Sequence, residues 1–378
     1  MNEQLLAGLL QRLPVMKLFK CTSCGQPVYF ENIFCEQCGS ALGFEPGLLQ
    51  IVALTGERDP HFVKNKKSKK PYRYCSNYQY RVCNWLLQDM NESIFCKACE
   101  LNHTIPNLDN PEHLEKWKKI EDAKHRLIYS LVRMGLPVIS KTRDERDGLA
   151  FDFVSDENQP KNEIIRTGHN SGLITINIAE ADDIAREMAR KSMQEVYRTL
   201  LGHFRHEIAH YYWDRLIAGS SNIETFRNLF GDERADYTEA LKTHYVTGAP
   251  AGWNDHFISA YASTHPWEDW AETWAHYMHI IDTLETAYSF GMRIDMPGSG
   301  KTTRMNTDPY KEKEFDIIFN WWLPLTFAMN SLNRSMGLQD IYPFVISAAV
   351  TQKLKFIHNV IAHAQPVKMW SRMGREKM

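Results

Sequence analysis

Two histidines and a glutamate in the middle of the chain have the spacing that metal-dependent hydrolysis requires. The segment is His206-Glu207-Ile208-Ala209-His210, in a run from Thr199 to Asp214 that contains no proline and one glycine, so a helix is expected. Histidines four residues apart on a helix lie on the same face, where one metal ion can bind both imidazoles. Glu207 can then accept a proton from a water molecule that the metal activates. The segment therefore predicts two zinc ligands and one general base.

A third metal ligand must come from elsewhere in the chain. In the metzincin class a glycine and a third histidine follow the motif, but Trp213 and Leu216 occupy those positions and exclude that class. The other common solution is a carboxylate from a later helix. One group of carboxylates follows soon after the motif, at Asp232, Glu233, Asp236 and Glu239.

A better source of the third ligand is the segment that starts at His265. Thr264 can cap a helix there, and Pro266 suits its first turn. Glu268 and Glu272 then lie one turn apart on the same face. We expect one of these carboxylates to bind the metal and the other to accept the N–H of a ligand histidine and so determine its tautomer. The tryptophans of this helix, Trp267, Trp270 and Trp274, form a separate stripe and are expected to pack in the core.

The 8 cysteines all lie near the amino terminus, between Cys21 and Cys99. In a chain without an export signal, clustered cysteines indicate metal ligands rather than disulfides. The first set consists of two Cys-x-x-Cys pairs, each followed by glycine, which is typical of a zinc site with four thiolate ligands. Its members are Cys21, Cys24, Cys35 and Cys38.

The second set is spaced less regularly, because seven residues separate its first two cysteines. Its members are Cys75, Cys83, Cys96 and Cys99, and His103 is a substitute ligand if Cys75 does not reach. We expect both sites to be closed and structural, since small modules need such a staple to fold. Together with the central motif, the sequence predicts one catalytic and two structural Zn²⁺ ions.

Composition and charge mainly exclude certain classes of protein. The chain has 378 residues and a net charge of −2, which indicates no particular partner. The sequence contains no run of 18 apolar residues, so it predicts no membrane span. The first residues do not resemble a signal peptide, and we therefore expect a cytoplasmic protein. Lysines between residues 64 and 70, with nearby tyrosines, are compatible with a nucleic-acid surface. A solvated loop is the favoured interpretation.

Turn signals place a domain boundary near Asn107, with residues 1–107 as the zinc-ribbon region and 108–378 as the second domain. A long amphipathic helix is expected over Glu112–Met134, then strands over Leu149–Val154 and Leu173–Ile178. The second strand is our candidate for the cleft rim, where an extended peptide could add to the sheet. Helical sequence follows over Glu180–Leu201, with Gly202 as the expected break. Helices after Phe315 are expected to cover the motif helices, and the basic tail from Gln365 is expected to be frayed.

These motifs together resemble the bacterial family of zinc-binding metallopeptidases with an N-terminal zinc ribbon. The resemblance also rests on Cys83-Asn-Trp, Phe230-Gly-Asp-Glu and His265-Pro-Trp-Glu-Asp. It implies an α+β fold, with small ribbon modules before a mainly helical zincin-like domain that contains a small β-sheet. It also implies the gluzincin ligand set of His206, His210 and Glu268. Glu207 is then the general base, and Glu272 supports a ligand histidine.

The resulting hypothesis is a metallopeptidase that hydrolyses peptide bonds through a zinc-bound water activated by Glu207, with ribbons that recruit substrate or partner. Two alternatives stay open: an inactive zinc-stabilised binding protein, and a protease acting on proteins bound to nucleic acid. Tyr261 is the first candidate for stabilising the oxyanion. Its competitors are Tyr237, His244, Tyr245 and His265, whereas His203, His276 and His279 are not expected to bind the metal.

Overall fold

The computed structural model describes residues 18–55, 63–88, 93–158, 167–182, 199–295 and 302–364, together with residues 186 and 188. Three predictions lie outside these residues: those for the start of the chain, for the tail from Gln365, and for most of the helical segment after Glu180.

The amino-terminal region is built from short antiparallel strands. A hairpin of β1 (Phe19–Lys20) and β2 (Pro27–Val28) precedes a five-stranded sheet. In that sheet each strand pairs with the next along the chain. Its strands are β3 (Ala41–Glu45), β4 (Gln50–Thr55), β5 (Val63–Asn65), β6 (Pro71–Tyr74) and β7 (Leu86–Gln88).

A four-stranded mixed sheet links this region to the rest of the chain. Its order is β10 (Gly168–Asn170), β11 (Leu173–Asn177), β9 (Ala150–Val154), β8 (Asn102–Thr104). Strand β11 pairs in parallel with β9 and antiparallel with β10, so it is an inner strand. The prediction that a peptide could add to Leu173–Ile178 as the cleft rim was therefore wrong, and the edge strand on that side of the sheet is β10. The alternation of buried residues did not distinguish them, because inner and edge strands share it.

The turn between β10 and β11 depends on a glycine. Gly172 has φ +83°, and a Cβ atom there would lie 2.2 Å from the carbonyl oxygen of Gly148. Gly172→Ala is therefore expected to lower the free energy of unfolding by about 1–3 kcal/mol, measured by chemical denaturation. Gly168→Ala in the same hairpin is the control, because a Cβ atom there meets nothing within 4 Å. Equal stability of the two variants would contradict this account.

Seven α-helices are described. A long helix, α1, lies between β8 and β9 in the chain, and the other helices follow the mixed sheet. Their bounds are α1 (Pro111–Arg133), α2 (Leu200–Leu216), α3 (Ile223–Phe230), α4 (Tyr237–Thr247), α5 (Pro266–Ser289), α6 (Phe315–Ser335) and α7 (Ala348–His363). A small hairpin of β12 (Arg293–Asp295) and β13 (Thr302–Arg304) lies between α5 and α6.

Helices α2 and α5 pack against each other as the central pair. Trp270 donates its indole N–H to the carbonyl oxygen of Ala209 at 2.9 Å, and the ring of Trp274 stacks on that of Tyr212. Both tryptophans are fully buried and Trp267 is partly buried, as the core stripe predicted. Helix α7 packs on α5, where Lys353 forms a buried ion pair with Asp269. The α+β class, with ribbon modules before a mainly helical part, is confirmed.

Candidate metal centre

Helix α2 carries the central motif and begins where its cap permits. The side chain of Thr199 accepts the backbone N–H of Gly202 at 3.0 Å, which satisfies one of the free N–H groups at the helix start. The helix runs through Gly202 without interruption, so the expected break at that glycine was wrong. The cap makes the first turn stable enough to accommodate the glycine.

The structure brings His206, His210 and Glu268 together between α2 and α5. The Nε2 atoms of the two histidines are 3.3 Å apart. Glu268 places Oε2 3.0 Å from Nε2 of His206, and Oε1 3.7 Å from Nε2 of His210. Two imidazole nitrogens and a carboxylate therefore converge on one point.

The chemistry of these atoms fits a zinc ion. Nδ1 of His206 lies 2.7 Å from Glu272 Oε1 and donates to it, so Nε2 is the ring nitrogen available to a metal ion. Oε2 of Glu268 is buried and has no hydrogen-bond donor among the described residues. Lone pairs at this separation repel one another unless a cation lies between them. Two nitrogens and one oxygen with a further open position are the ligand set of catalytic zinc.

Electrostatics place two of the three groups, His210 and Glu268, in the protonation states that bind metal. Burial lowers the pKa of His210 to about 4, so its imidazole is neutral near pH 7. Burial alone would raise the pKa of Glu268, but the neighbouring His210 and His206 and the hydroxyl of Tyr237 lower it to about 2. The carboxylate is therefore ionised across the neutral pH range.

Glu272 supports the centre from the next turn of α5. Its second oxygen accepts the hydroxyl of Ser259 at 2.7 Å, while the first accepts the hydrogen on Nδ1 of His206. Ser259 therefore orients the carboxylate that in turn orients His206. Ser259 was not identified from the sequence, because it lies in a loop with no motif around it.

Glu207 projects from the same helix and is buried, with 9% of its surface exposed. Burial raises the pKa of its carboxyl group to about 7. A general base is most effective when its pKa is close to the working pH. Glu207 therefore has the electrostatic character that the motif predicts for it.

Two tyrosine side chains lie beside the candidate metal centre. Tyr237, at the start of α4, donates its hydroxyl to Glu268 Oε1 at 2.8 Å. Tyr261 lies with its ring centroid 6.1 Å from that of His206 and 6.0 Å from that of His244. From the sequence, Tyr237 was only a competitor of Tyr261 for stabilising the oxyanion. In the structure its hydroxyl is hydrogen-bonded directly to the carboxylate of Glu268.

His265 has a structural role instead. Its Nδ1 accepts the backbone N–H of Trp267 at 3.1 Å and caps α5, and Nε2 lies 3.1 Å from the carbonyl oxygen of Ala235. The prediction that Thr264 caps this helix was therefore wrong. An imidazole reached the free N–H group because His265 has the extended backbone conformation of a cap residue.

The other carboxylates considered as ligands have different partners. Glu233 pairs with Arg227 at 2.6 Å, and Asp232 pairs with Arg234 at 2.7 Å. Asp236 caps α4 by accepting the backbone N–H of Glu239. None of them joins the cluster around His206, so Glu268 is the carboxylate that this geometry favours.

The remaining histidines near the motif also point elsewhere. His203 lies 3.3 Å from Glu180, His276 lies 2.8 Å from the hydroxyl of Tyr342, and His279 contacts Arg205. His169 was missed entirely, since it is a single histidine on a short strand. It lies on the edge strand β10, with its ring parallel to that of His210 at 6.3 Å.

The first four-cysteine set forms one group in the structure. The ligand atoms of Cys21, Cys24, Cys35 and Cys38 all lie within 4.8 Å of one another. Sulfur–sulfur distances are 3.7 Å from Cys21 to Cys38 and 3.6 Å from Cys24 to Cys35. The glycines after each pair, Gly25 and Gly39, have positive φ angles, as the tight turn of such a loop requires.

The second four-cysteine set also forms one group, and it is fully buried. The sulfurs of Cys75, Cys83, Cys96 and Cys99 lie within 4.8 Å of one another. Cys75 therefore does reach the group. His103, the proposed substitute, is exposed and bonds to Asp152 at 2.7 Å.

The basic segment near residues 64–70 forms the turn between β5 and β6. Lys66 donates its ammonium group to the hydroxyl of Ser40 at 3.1 Å, beside Cys38. The ammonium group of Lys70 lies 5.4 Å from the ring centroid of Tyr72. These lysines form a turn beside the first cysteine group.

Comparison with known proteins identifies two family matches. Residues 113–360 match the family described as "putative zinc-binding metallo-peptidase", and residues 18–110 match a zinc-ribbon domain. Within the part of the chain that the structure describes, no helix has the length and apolar character of a membrane span.

Curated relatives come from mycobacteria. An uncharacterized protein of Mycobacterium tuberculosis strain H37Rv is 43% identical over 352 residues, which cover 93% of this chain and 97% of the relative. An uncharacterized protein of Mycobacterium bovis has the same identity and coverage. No solved structure matches the chain significantly.

Proposed function

This chain belongs to the zinc-binding metallo-peptidase family and carries a zinc ribbon, and we propose that it hydrolyses peptide bonds between α2 and α5. The single observation that carries the proposal is the convergence of His206, His210 and Glu268 beside the buried Glu207. Site geometry, rather than fold, supports the reaction class.

In the proposed mechanism, His206, His210 and Glu268 would hold a zinc ion, and the chemistry supplied there would be that of a Lewis acid, which polarises a carbonyl and activates water near neutral pH. Glu207 accepts the proton of the attacking water and delivers it to the leaving amine. Glu272, held by Ser259, keeps the Nδ1 hydrogen on His206, so that Nε2 stays free to bind.

Substrate is proposed to bind as an extended strand along β10. This strand pairs only with β11 among the described strands, so its other edge can accept a peptide backbone. His169 lies on β10 beside His210, which places that edge next to the metal centre. On the opposite side, Tyr237 and Tyr261 are the candidates for contacting the carbonyl oxygen of the scissile bond.

The two ribbon groups are proposed as structural zinc sites with four thiolates each. Metal analysis of the purified chain is then expected to give about three zinc ions per chain, one for each four-cysteine group and one for the cluster of His206, His210 and Glu268. The measurement is elemental analysis after gel filtration, with native mass spectrometry as a second count. A value of one or less would contradict the whole arrangement.

The proposed activity is tested by incubating the zinc-loaded protein with denatured casein and with peptide libraries. We expect new peptide termini, identified by mass spectrometry, that disappear when a chelator is added. Cleavage that a chelator does not stop, or no cleavage of any unfolded substrate, would argue for the alternative of a zinc-stabilised binding protein.

A further inference from the structure

Helix α1 carries three buried polar side chains beside the second four-cysteine group: Glu121 and His125 contact Cys99, and Lys124 pairs with Glu121. We propose that these residues are partners of the zinc centre at Cys75, Cys83, Cys96 and Cys99, and that this centre joins the ribbon to the metallopeptidase domain. The inference rests on zinc binding by these thiolates, which is part of the proposed function, but it does not depend on peptidase activity.

The contact with the thiolates is made at Cys99. Nε2 of His125 lies 3.8 Å from its sulfur, and Oε2 of Glu121 lies 3.9 Å from the same atom. The imidazole ring is held against Trp85, with centroids 5.3 Å apart. An N–H donor at this position stabilises a metal-bound sulfur, because hydrogen bonds to an ionised acceptor are the strong ones.

Backbone groups supply the same kind of contact to other sulfurs of the centre. The N–H of Cys96 donates to Cys75, that of Cys99 to Cys96, and that of Trp85 to Cys83, each at 3.4 Å. His125 is therefore the helix's contribution to a shell of donors around the thiolates. Outer-shell groups of this kind tune metal affinity.

Glu121 and Lys124 connect this shell to the rest of the molecule. Their buried ion pair is 2.8 Å long, and neither side chain has any exposed surface. Glu121 also accepts hydrogen bonds from Asn102 at 2.8 Å and from Trp117 at 3.1 Å. Removing one partner of such a pair leaves a buried charge without compensation, so the cluster is held as a unit.

The cluster continues into the elements that carry the metal centre. Asn102 opens β8, which pairs with β9 of the mixed sheet. Helix α1 packs on α2, and side chains at its far end form hydrogen bonds with α5. There Tyr129 donates its hydroxyl to Glu285 at 2.8 Å. The second cysteine group thus belongs to the same buried core as the α2–α5 pair.

The first cysteine group also reaches this core through Cys21 and Cys35, but none of its sulfurs has a hydrogen-bond contact with a described side chain of α1, as Cys99 does. Its Cys24 is exposed, whereas all four cysteines of the second group are buried. The polar side chain next to Cys38 is Ser40, at 3.2 Å, rather than a residue of α1. We therefore expect the first site to lose zinc readily without disturbing the helices, and the second to retain it until the helices loosen.

The test uses the full-length, zinc-loaded protein. Ethylenediaminetetraacetic acid is titrated in while native mass spectrometry counts retained ions and hydrogen exchange reports each segment. In the wild type, exchange in Pro111–Arg133 is expected to rise only when the ion of the second group leaves, which exchange around Cys96 reports. Unchanged exchange in α1 after that loss would overturn the proposal, whatever the variants do.

Variants of two buried histidines on α1 sharpen the test. His125→Phe is expected to weaken zinc binding at the second group by about 10- to 100-fold, and His125→Gln, which keeps an N–H donor, should recover part of it. His113→Phe is the matched control, because His113 is buried on the same helix but bonds to Asn107 and Glu157. Equal zinc release from the two phenylalanine variants would also overturn the proposal.

These readouts separate the inference from the peptidase proposal. A protein that cleaves no peptide but shows the predicted order of zinc loss would contradict the proposed activity alone. A protein that cleaves peptides, but whose hydrogen exchange in α1 does not change when the second four-cysteine group loses its ion, would contradict only the inference for that zinc centre.

Discussion

Glu207→Gln is expected to lower the rate of peptide cleavage by about 10²- to 10⁴-fold while the protein keeps all its zinc. The amide has the same shape as the carboxyl group but cannot accept the proton of the attacking water. His206 and His210 are unchanged, so metal binding should persist. The measurement is the initial rate of cleavage of a peptide found in the library screen, alongside zinc content.

The fold is expected to tolerate this substitution. Burial raises the pKa of Glu207 to about 7, so the surroundings already disfavour the charge that glutamine removes. Glu224→Gln on α3 is a control for removing a carboxylate, since its side chain is 75% exposed beside Arg227. An unchanged cleavage rate in Glu207→Gln would rule out the proposed base.

The second large effect is expected at Glu268. Glu268→Ala should reduce the zinc content by one ion per chain and abolish cleavage, because only two protein ligands remain at the centre. The loss also leaves the hydroxyl of Tyr237 without its 2.8 Å acceptor. Elemental analysis gives the zinc count, and cleavage of the same peptide gives the activity.

Glu233→Ala is the matched control for Glu268→Ala. Glu233 was one of the alternative carboxylates, and it pairs with Arg227 away from the two histidines. The Glu233→Ala variant should keep all its zinc. If Glu268→Ala retained three ions while Glu233→Ala lost one, the third ligand would be Glu233. Loss of all zinc in Glu268→Ala would instead indicate that the ribbons had also unfolded.

The spacing of residues in the sequence was enough to predict much of the candidate site. His206 and His210 are one helical turn apart, so their shared face follows from helix geometry alone. The paired cysteines likewise indicate metal sites, because a Cys-x-x-Cys loop brings two sulfurs together wherever it occurs. The family and the α+β class followed from these motifs and are confirmed. The domain boundary at residue 107 stays a prediction. Strand β8 lies just before that residue and pairs with β9, which lies after it, so one sheet contains strands from both sides of the boundary.

Contacts between distant segments could not be read in the same way. Alternating residues in Leu173–Asn177 describe a strand but not its neighbours, so the edge strand was assigned wrongly. Ser259 and His169 carry no local signal, because each is placed at the site by a contact with a different element: Ser259 with Glu272 of α5, and His169 with His210 of α2. The bond from Tyr237 to Glu268 is of the same kind.

The His206–His210 segment shows this division within a single site. Its residue types and spacing alone predicted two metal-binding nitrogens and an adjacent base, because the backbone geometry of one helix positions all three. The family resemblance implied Glu268 and Glu272 for the carboxylate roles, but only the packing of α5 against α2 brings both of them beside His206. That packing depends on a buried aromatic interface, and its register is set by side-chain shape across many turns rather than by any motif.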